Sequence, residues 1–161
     1  RGIGRSFGIN KEEGCENYLT VKELLNTLCD LVSKGGNFLL NIGPDGDGTI
    51  PPIMEERLLG MGKWLETNGE AIYESEVYCK KHSDGVYYTK RDGNIYAITE
   101  RFPSKETVFP EIEYSDKYNV TLLGSNADVE VVNRDGKLAL RADICSPEDV
   151  NSEHLFVFEL S

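Results

Sequence analysis

Apolar positions recur at helical spacing in two places within the first seventy residues. Val21, Leu24, Leu25, Leu28, Leu31 and Val32 form one stripe, three to four residues apart, as one buried face of an α-helix requires. Thr20 and Glu23 stand ahead of it in the T-x-x-E order of a capping box. There the hydroxyl and the carboxylate satisfy N–H groups that the first turn leaves unpaired. Gly35 stops this helix and Gly36 adds slack. A second stripe, Ile53, Leu58, Met61, Trp64 and Leu65, follows Pro51 and Pro52 and ends at Asn68-Gly69. Prolines there pre-set the first turn. Between the stripes, residues 37–42 are apolar on both faces, which predicts a strand covered on both sides. Asn37, Leu39 and Asn41 share one of those faces, and the loop Gly43-Pro44-Asp45-Gly46-Asp47-Gly48 follows at once. The glycine-rich residues 1–18 read as irregular, with room for a short strand in 5–10.

The period changes from 3.6 to 2 near residue 71. Residues 85–102 hold two alternating runs joined by Asp92-Gly93, a type I′ hairpin signal. Further strands are predicted at about 107–113, 118–123, 128–133, 137–143 and 154–160, with a turn over Asn133 to Gly136. Roughly seven short strands separated by turns indicate an antiparallel sandwich. The chain thus divides into a helix–strand–helix segment, 1–70, and a β segment, 71–161, with the boundary between Glu66 and Ser75. Neither set of elements is repeated internally.

Composition narrows the partners. The 161 residues are 39% apolar, enough for a core, and carry 17 basic against 28 acidic side chains, a net charge of −11. Such a surface repels nucleic acid and anionic lipid, and no apolar run reaches the roughly 20 residues of a membrane-spanning helix. The chain starts at Arg1 without a signal-peptide pattern, so it is expected to be a fragment of a longer protein. Four cysteines, Cys15, Cys29, Cys79 and Cys145, lack zinc-ligand spacing and allow three pairings, none of which the sequence selects. Cys29 falls on the apolar helix face. Asn119-Val120-Thr121 is a glycosylation acceptor pattern and points towards the secretory route.

Side chains able to do chemistry are scattered. Asp45, Asp47, Thr49 and Glu56 mimic calcium-loop spacing, but Ile50 stands where the turn needs glycine. No lysine follows Gly48 as a phosphate loop requires, so neither metal nor cofactor is expected. His82 and His154 have no acid–nucleophile partner nearby, and Glu12, Glu13 and Glu16 read as solvated loop residues. No pair of acids stands out as a glycosidase couple. On its own residues the chain holds no complete active site.

Three segments together carry a resemblance: SFGIN (6–10), TVKELLNTLCDLVSKGGNFLLNIGPDGDGTIP (20–51) and ERLLGMGKWLETNGEAIY (56–73). In this order they resemble the C-terminal third of family 29 α-L-fucosidases. VYYTKRDGNIYAI and VTLLG extend the likeness, more weakly, into that family's β-domain. Phe7 and Ile9 replace the Trp and Tyr usual in SWGYN.

The resemblance implies an α+β chain, the last β/α units of a (β/α)8-like barrel followed by an antiparallel β-sandwich. It implies a retaining hydrolase that removes terminal α-L-fucose from glycans, lysosomal or secreted. Its Asp nucleophile and Glu acid/base lie upstream of the matched region, so no residue here is catalytic. Barrel sites sit at the C-terminal ends of the strands, which puts residues 37–42 and the loop after them at the mouth. Phe7 and Phe38 would then pack on the fucose C5 methyl, and Asn10 and Asn41 would bond hydroxyls. Two helices and a strand or two cannot close a barrel. The helices are therefore expected to pack on each other and on the β segment, or the chain to associate with copies of itself. A different reading is a carbohydrate-binding or purely structural β-module, with Tyr87, Tyr88 and Tyr96 as an exposed aromatic platform.

Overall fold

The computed structural model describes residues 1–80, 83 and 85–161; His82 lies outside the described residues. The first helix, α1, runs Val21–Ser33, and the second, α2, runs Pro52–Asn68. Eight strands follow among the described residues: β1 (Glu76–Val77), β2 (Val86–Arg91), β3 (Asn94–Thr99), β4 (Thr107–Glu113), β5 (Val120–Leu122), β6 (Val129–Arg134), β7 (Lys137–Ala142) and β8 (Phe156–Leu160). They make a five-stranded sheet in the order β1-β2-β3-β8-β5 and a three-stranded sheet in the order β4-β7-β6. Every strand pair is antiparallel.

Local chemistry sets the element ends. The Thr20 hydroxyl accepts the Glu23 N–H at 3.3 Å, and the Glu23 carboxylate accepts the Thr20 N–H at 2.8 Å, completing the capping box. The chain leaves α1 through Gly35 at φ +81°, a left-handed backbone that glycine adopts without strain. Asp92 and Gly93, at φ 51° and 92°, make the β2–β3 turn, and Asp135-Gly136, at 53° and 84°, make the β6–β7 turn. Positive φ at both central residues gives the twist that two-residue hairpins need. Pro110 lies in β4, an edge strand whose register with β7 shifts between Phe109 and Glu113. A residue without an N–H is tolerated at such an edge.

Capping offers a direct test. Thr20→Ala should cost about 1 kcal/mol, the usual loss for an N-cap hydroxyl, read by urea unfolding. The Thr20 backbone and side-chain hydrogen bonds hold the Glu23 carboxyl below its ordinary value of 4.5. A depressed folded value stabilises above the unfolded value and fades as pH falls through the folded one. Glu23→Gln should therefore make stability less sensitive to acid below about pH 4.5; an unchanged acid limb would refute the coupling.

Alternation along the five-stranded sheet feeds two cores. Tyr88, Ala97, Phe156, Phe158 and Leu160 point into the sandwich, against Phe109, Ile112, Leu138 and Leu140 of the second sheet. Phe109 meets Tyr88 and Phe158 edge-on, with ring centres 6.3 and 6.0 Å apart. Tyr87, Tyr96, Ile98, Leu155 and Val157 face the other way, onto Leu24, Leu25, Cys29, Met54, Met61 and Trp64 of the two helices. The molecule thus has three layers, helices over a five-stranded sheet over a three-stranded sheet. The helices pack on each other and on the β segment, as expected.

Polar bonds tie the helical segment and the turn after it to the β segment. Trp64 Nε1 donates to the Leu155 carbonyl at 2.8 Å, Tyr87 Oη to Asn26 Oδ1 at 3.0 Å, and Thr89 Oγ1 to the Ala71 carbonyl at 2.7 Å. Lys22 and Glu100 add an ion pair at 2.6 Å.

Three expectations are corrected. Residues 37–42 are extended but form no ladder: a single parallel bridge joins Asn41 to Gly2. Phe38, Leu40 and Ile42 pack towards the helices, whereas Leu39 on the opposite side is 70% exposed. The segment is apolar on both faces, but only one face has cover in this chain. No strand forms in 5–10 either: the Ser6 N–H goes to the Glu13 carboxylate and the Phe7 carbonyl to the Asn41 side chain, not to a neighbouring strand. Finally, Tyr87, Tyr88 and Tyr96 are only 8, 0 and 3% exposed, so they are core residues and offer no platform.

Candidate functional site

The segment expected to line a mouth, residues 37–42, meets a second stretch of backbone, residues 1–3. Residues 1–3 and 39–41 run parallel: the Arg1 amine donates to the Leu39 carbonyl at 3.0 Å, Asn41 N–H to the Arg1 carbonyl at 2.9 Å, and Ile3 N–H to the Asn41 carbonyl at 3.0 Å. Ile3 is fully buried against the helices and anchors the pair. Beyond Asn41 the chain passes under residues 8 and 9. A Cβ added at Gly43 would lie 2.5 Å from the Gly8 carbonyl carbon and 2.7 Å from Ile9 Cα. Only glycine permits that approach.

The loop over Gly43 is held from three sides. Glu13 accepts the Ser6 N–H at 2.6 Å. Asn10 Nδ2 donates to Ser6 Oγ at 3.1 Å while its Oδ1 accepts the Glu12 N–H at 3.1 Å. Asn41 Nδ2 donates to the Phe7 carbonyl. Phe7 is 65% exposed, and Asn41 Oδ1 has no partner among the described residues.

Of the four residues singled out in the sequence, the structure joins Phe7 and Asn41 directly. Asn10 sits in the same loop, with both ends of its carboxamide engaged there. Phe38 lies on the far side of its segment, packed against the helical core. Sequence reasoning passed over Glu13, which it took for a solvated acid, and over Gly43 as a close-contact point. Neither has a spacing signature, since each acts across a loop.

The rim has little reactive chemistry of its own. Burial, and then the Glu13 carboxylate, push the Tyr18 phenol above its ordinary value. Asp47, in the loop after the rim, is held low by the Thr49 backbone and hydroxyl, which is the signature of a turn and not of a proton donor. Among the described residues no cluster of His, Cys, Asp and Glu could hold a metal, and no helix is long and apolar enough to cross a membrane. Cys15 and Cys145 are exposed, and Cys29 is buried, which pushes its thiol well up. Asn119 is exposed beside β5 and exchanges backbone hydrogen bonds with Ser161 at 3.0 Å.

Solved structures share the whole arrangement. An α-fucosidase of Thermotoga maritima, crystallised with fucose, superposes with a TM-score of 0.83 at 37% identity, covering 100% of this chain and 39% of that one. Residues 1–70 match the family model described as alpha-L-fucosidase. An alpha-L-fucosidase of Branchiostoma floridae is 39% identical over 80% of this chain, and the human plasma alpha-L-fucosidase is 43% identical over 65%. The chain spans only 29% and 23% of the length of those two relatives. Its architecture therefore matches the C-terminal portion of these relatives. The chain belongs to the α-L-fucosidase family.

Proposed function

We propose that this chain forms the C-terminal part of a retaining α-L-fucosidase that removes terminal fucose from glycans. Residues 1–70 would close a (β/α)8-like barrel and residues 71–161 would form the sandwich that buttresses it. The reading is supported above all by the full-length likeness to an enzyme that holds fucose. It is supported too by the exposure of Phe7 and Leu39 beside Asn41, which we read as the C-terminal end of a barrel strand left without its neighbours. Retention needs one carboxylate to attack the anomeric carbon and another to protonate the leaving oxygen. Both are proposed to stand on preceding segments. This chain would supply a wall of the pocket: Phe7 packs on the sugar's apolar face and Asn41 Oδ1 accepts from a hydroxyl. Asn10 shapes the loop that carries Phe7, and Phe38 supports the rim from the core side. Plasma and tissue relatives favour a lysosomal or secreted enzyme, with a glycan on the exposed Asn119. The bare rim also gives the isolated chain a surface for self-association.

The test is a chimera that joins residues 1–161 to the preceding part of the Thermotoga maritima enzyme. It should release 4-nitrophenol from 4-nitrophenyl α-L-fucoside, whereas the isolated chain should release none. Phe7→Ala and Asn41→Ala should each raise KM about tenfold, the loss of one good contact, with a smaller effect on kcat. A folded chimera inert towards the fucoside would overturn the reading. Turnover by the isolated chain would overturn the placement of both carboxylates.

A further inference from the structure

A second concavity, sharing no lining residue with the rim, lies where α2 meets the end of the sandwich. It encloses about 450 Å³, inside the roughly 300–1,000 Å³ typical of small-molecule sites. Its lining includes the aromatic side chains of Trp64, Phe102 and Phe156 and the polar ones of Asn151, Glu153 and His154. Phe102 and Phe156 meet edge-on with centres 5.4 Å apart, and Phe102 keeps part of its surface open.

The polar lining comes mostly from residues 151–154, a loop tied down by hydrogen bonds. Asn151 N–H donates to the Gly124 carbonyl at 2.7 Å, and Ser152 Oγ donates to the Leu155 carbonyl at 2.8 Å. Asn68 Nδ2, fully buried, donates to Ser152 Oγ at 3.0 Å. Trp64 Nε1 clamps the same Leu155 carbonyl. His154 is held at φ 72°, a left-handed backbone uncommon outside glycine. The loop thus spends its backbone on fixing itself. The Asn151 carboxamide and the His154 imidazole have no hydrogen-bond partner among the described residues.

Charge narrows the ligand. The Lys63 ammonium at the cavity is paired with Glu153 at 3.1 Å, and the chain carries a net −11, so an anion is disfavoured. A purely apolar ligand would bury Asn151 and His154 without partners. A ring with one apolar C–H face and a rim of hydroxyls meets both the aromatic and the polar members of this lining. We infer that this cavity between α2 and the sandwich is a binding site for a neutral pyranose residue of a glycan. The inference rests on this cavity alone and is independent of the fucosidase reading.

Trp64 is the chain's single tryptophan, so its indole N–H resonance reports on this cavity and nowhere else. Galactose, N-acetylglucosamine and fucose are titrated separately into the 161-residue chain, with glucuronate as the anionic comparison. At least one neutral sugar should shift the Trp64 signal saturably, with a midpoint in the millimolar range (about −4 kcal/mol at 1 mM). Phe102→Leu and Asn151→Ala should each weaken that binding about tenfold, and Phe7→Ala should leave it unchanged. Asn151 is exposed, so its variant tests the site without touching the core. No saturation by any neutral sugar up to 100 mM (about −1.4 kcal/mol by the same scale) would overturn the inference. So would equal binding of glucuronate, or binding that Phe7→Ala abolishes and Asn151→Ala spares.

Discussion

Trp64→Ala should lower the unfolding free energy by about 3–5 kcal/mol, the range for removing a large aromatic from a packed core. The indole is 3% exposed and belongs to the cluster that joins both helices to the five-stranded sheet. Its N–H also holds the Leu155 carbonyl, one residue before β8. Truncation therefore leaves a cavity at the junction and frees the segment that leads into a central strand. Trp64→Phe should fall between alanine and the parent, because it restores most of the packing but not the hydrogen bond. Urea unfolding followed by circular dichroism reads both. A loss below about 1.5 kcal/mol for alanine would mean that the helical layer is only loosely attached.

Gly43→Ala is the second large effect, about 1–3 kcal/mol, the usual cost of forcing extra atoms into a packed site. The new methyl would meet backbone atoms of Gly8 and Ile9, and backbone cannot rotate aside as a side-chain tip can. The loop must lift, and the Asn41 bond to the Phe7 carbonyl goes with it. Limited proteolysis within residues 6–10 should accelerate in step with the loss of stability. Gly46→Ala is the matched control, since an added Cβ there has nothing within 4 Å and its backbone is not left-handed. Equal behaviour of the two variants would sink the account.

Much of this architecture was legible because local chemistry and burial pointed the same way. The capping box at Thr20, the proline-started second helix, and the Asp-Gly turns at 92–93 and 135–136 are short-range signals that packing does not override. Residues 37–42 misled because an apolar run reports that cover is wanted, not that hydrogen-bonded neighbours exist. Their side chains found cover on one side only, and their backbone found one bridge. The tyrosines at 87, 88 and 96 alternate as a half-exposed strand would. They are buried on both faces because helices 21–33 and 52–68 cover the outer one, and period-2 patterning cannot foresee such a third layer. At the candidate site the family resemblance picks out Phe7 and Asn41 as residue types. The bond between them, and the clasp of Glu13 on Ser6, span loops and leave no spacing to detect.

The five-stranded sheet places Phe156–Leu160 between β3 and β5, so one of its interior strands is supplied by residues late in this sequence. Until that stretch arrives, Asn94–Thr99 has a bare edge, and edges of this kind recruit strands from other molecules. A nascent or heat-opened molecule lacking this insert should therefore begin to aggregate along β3, and a short peptide copying residues 156–160 should slow it.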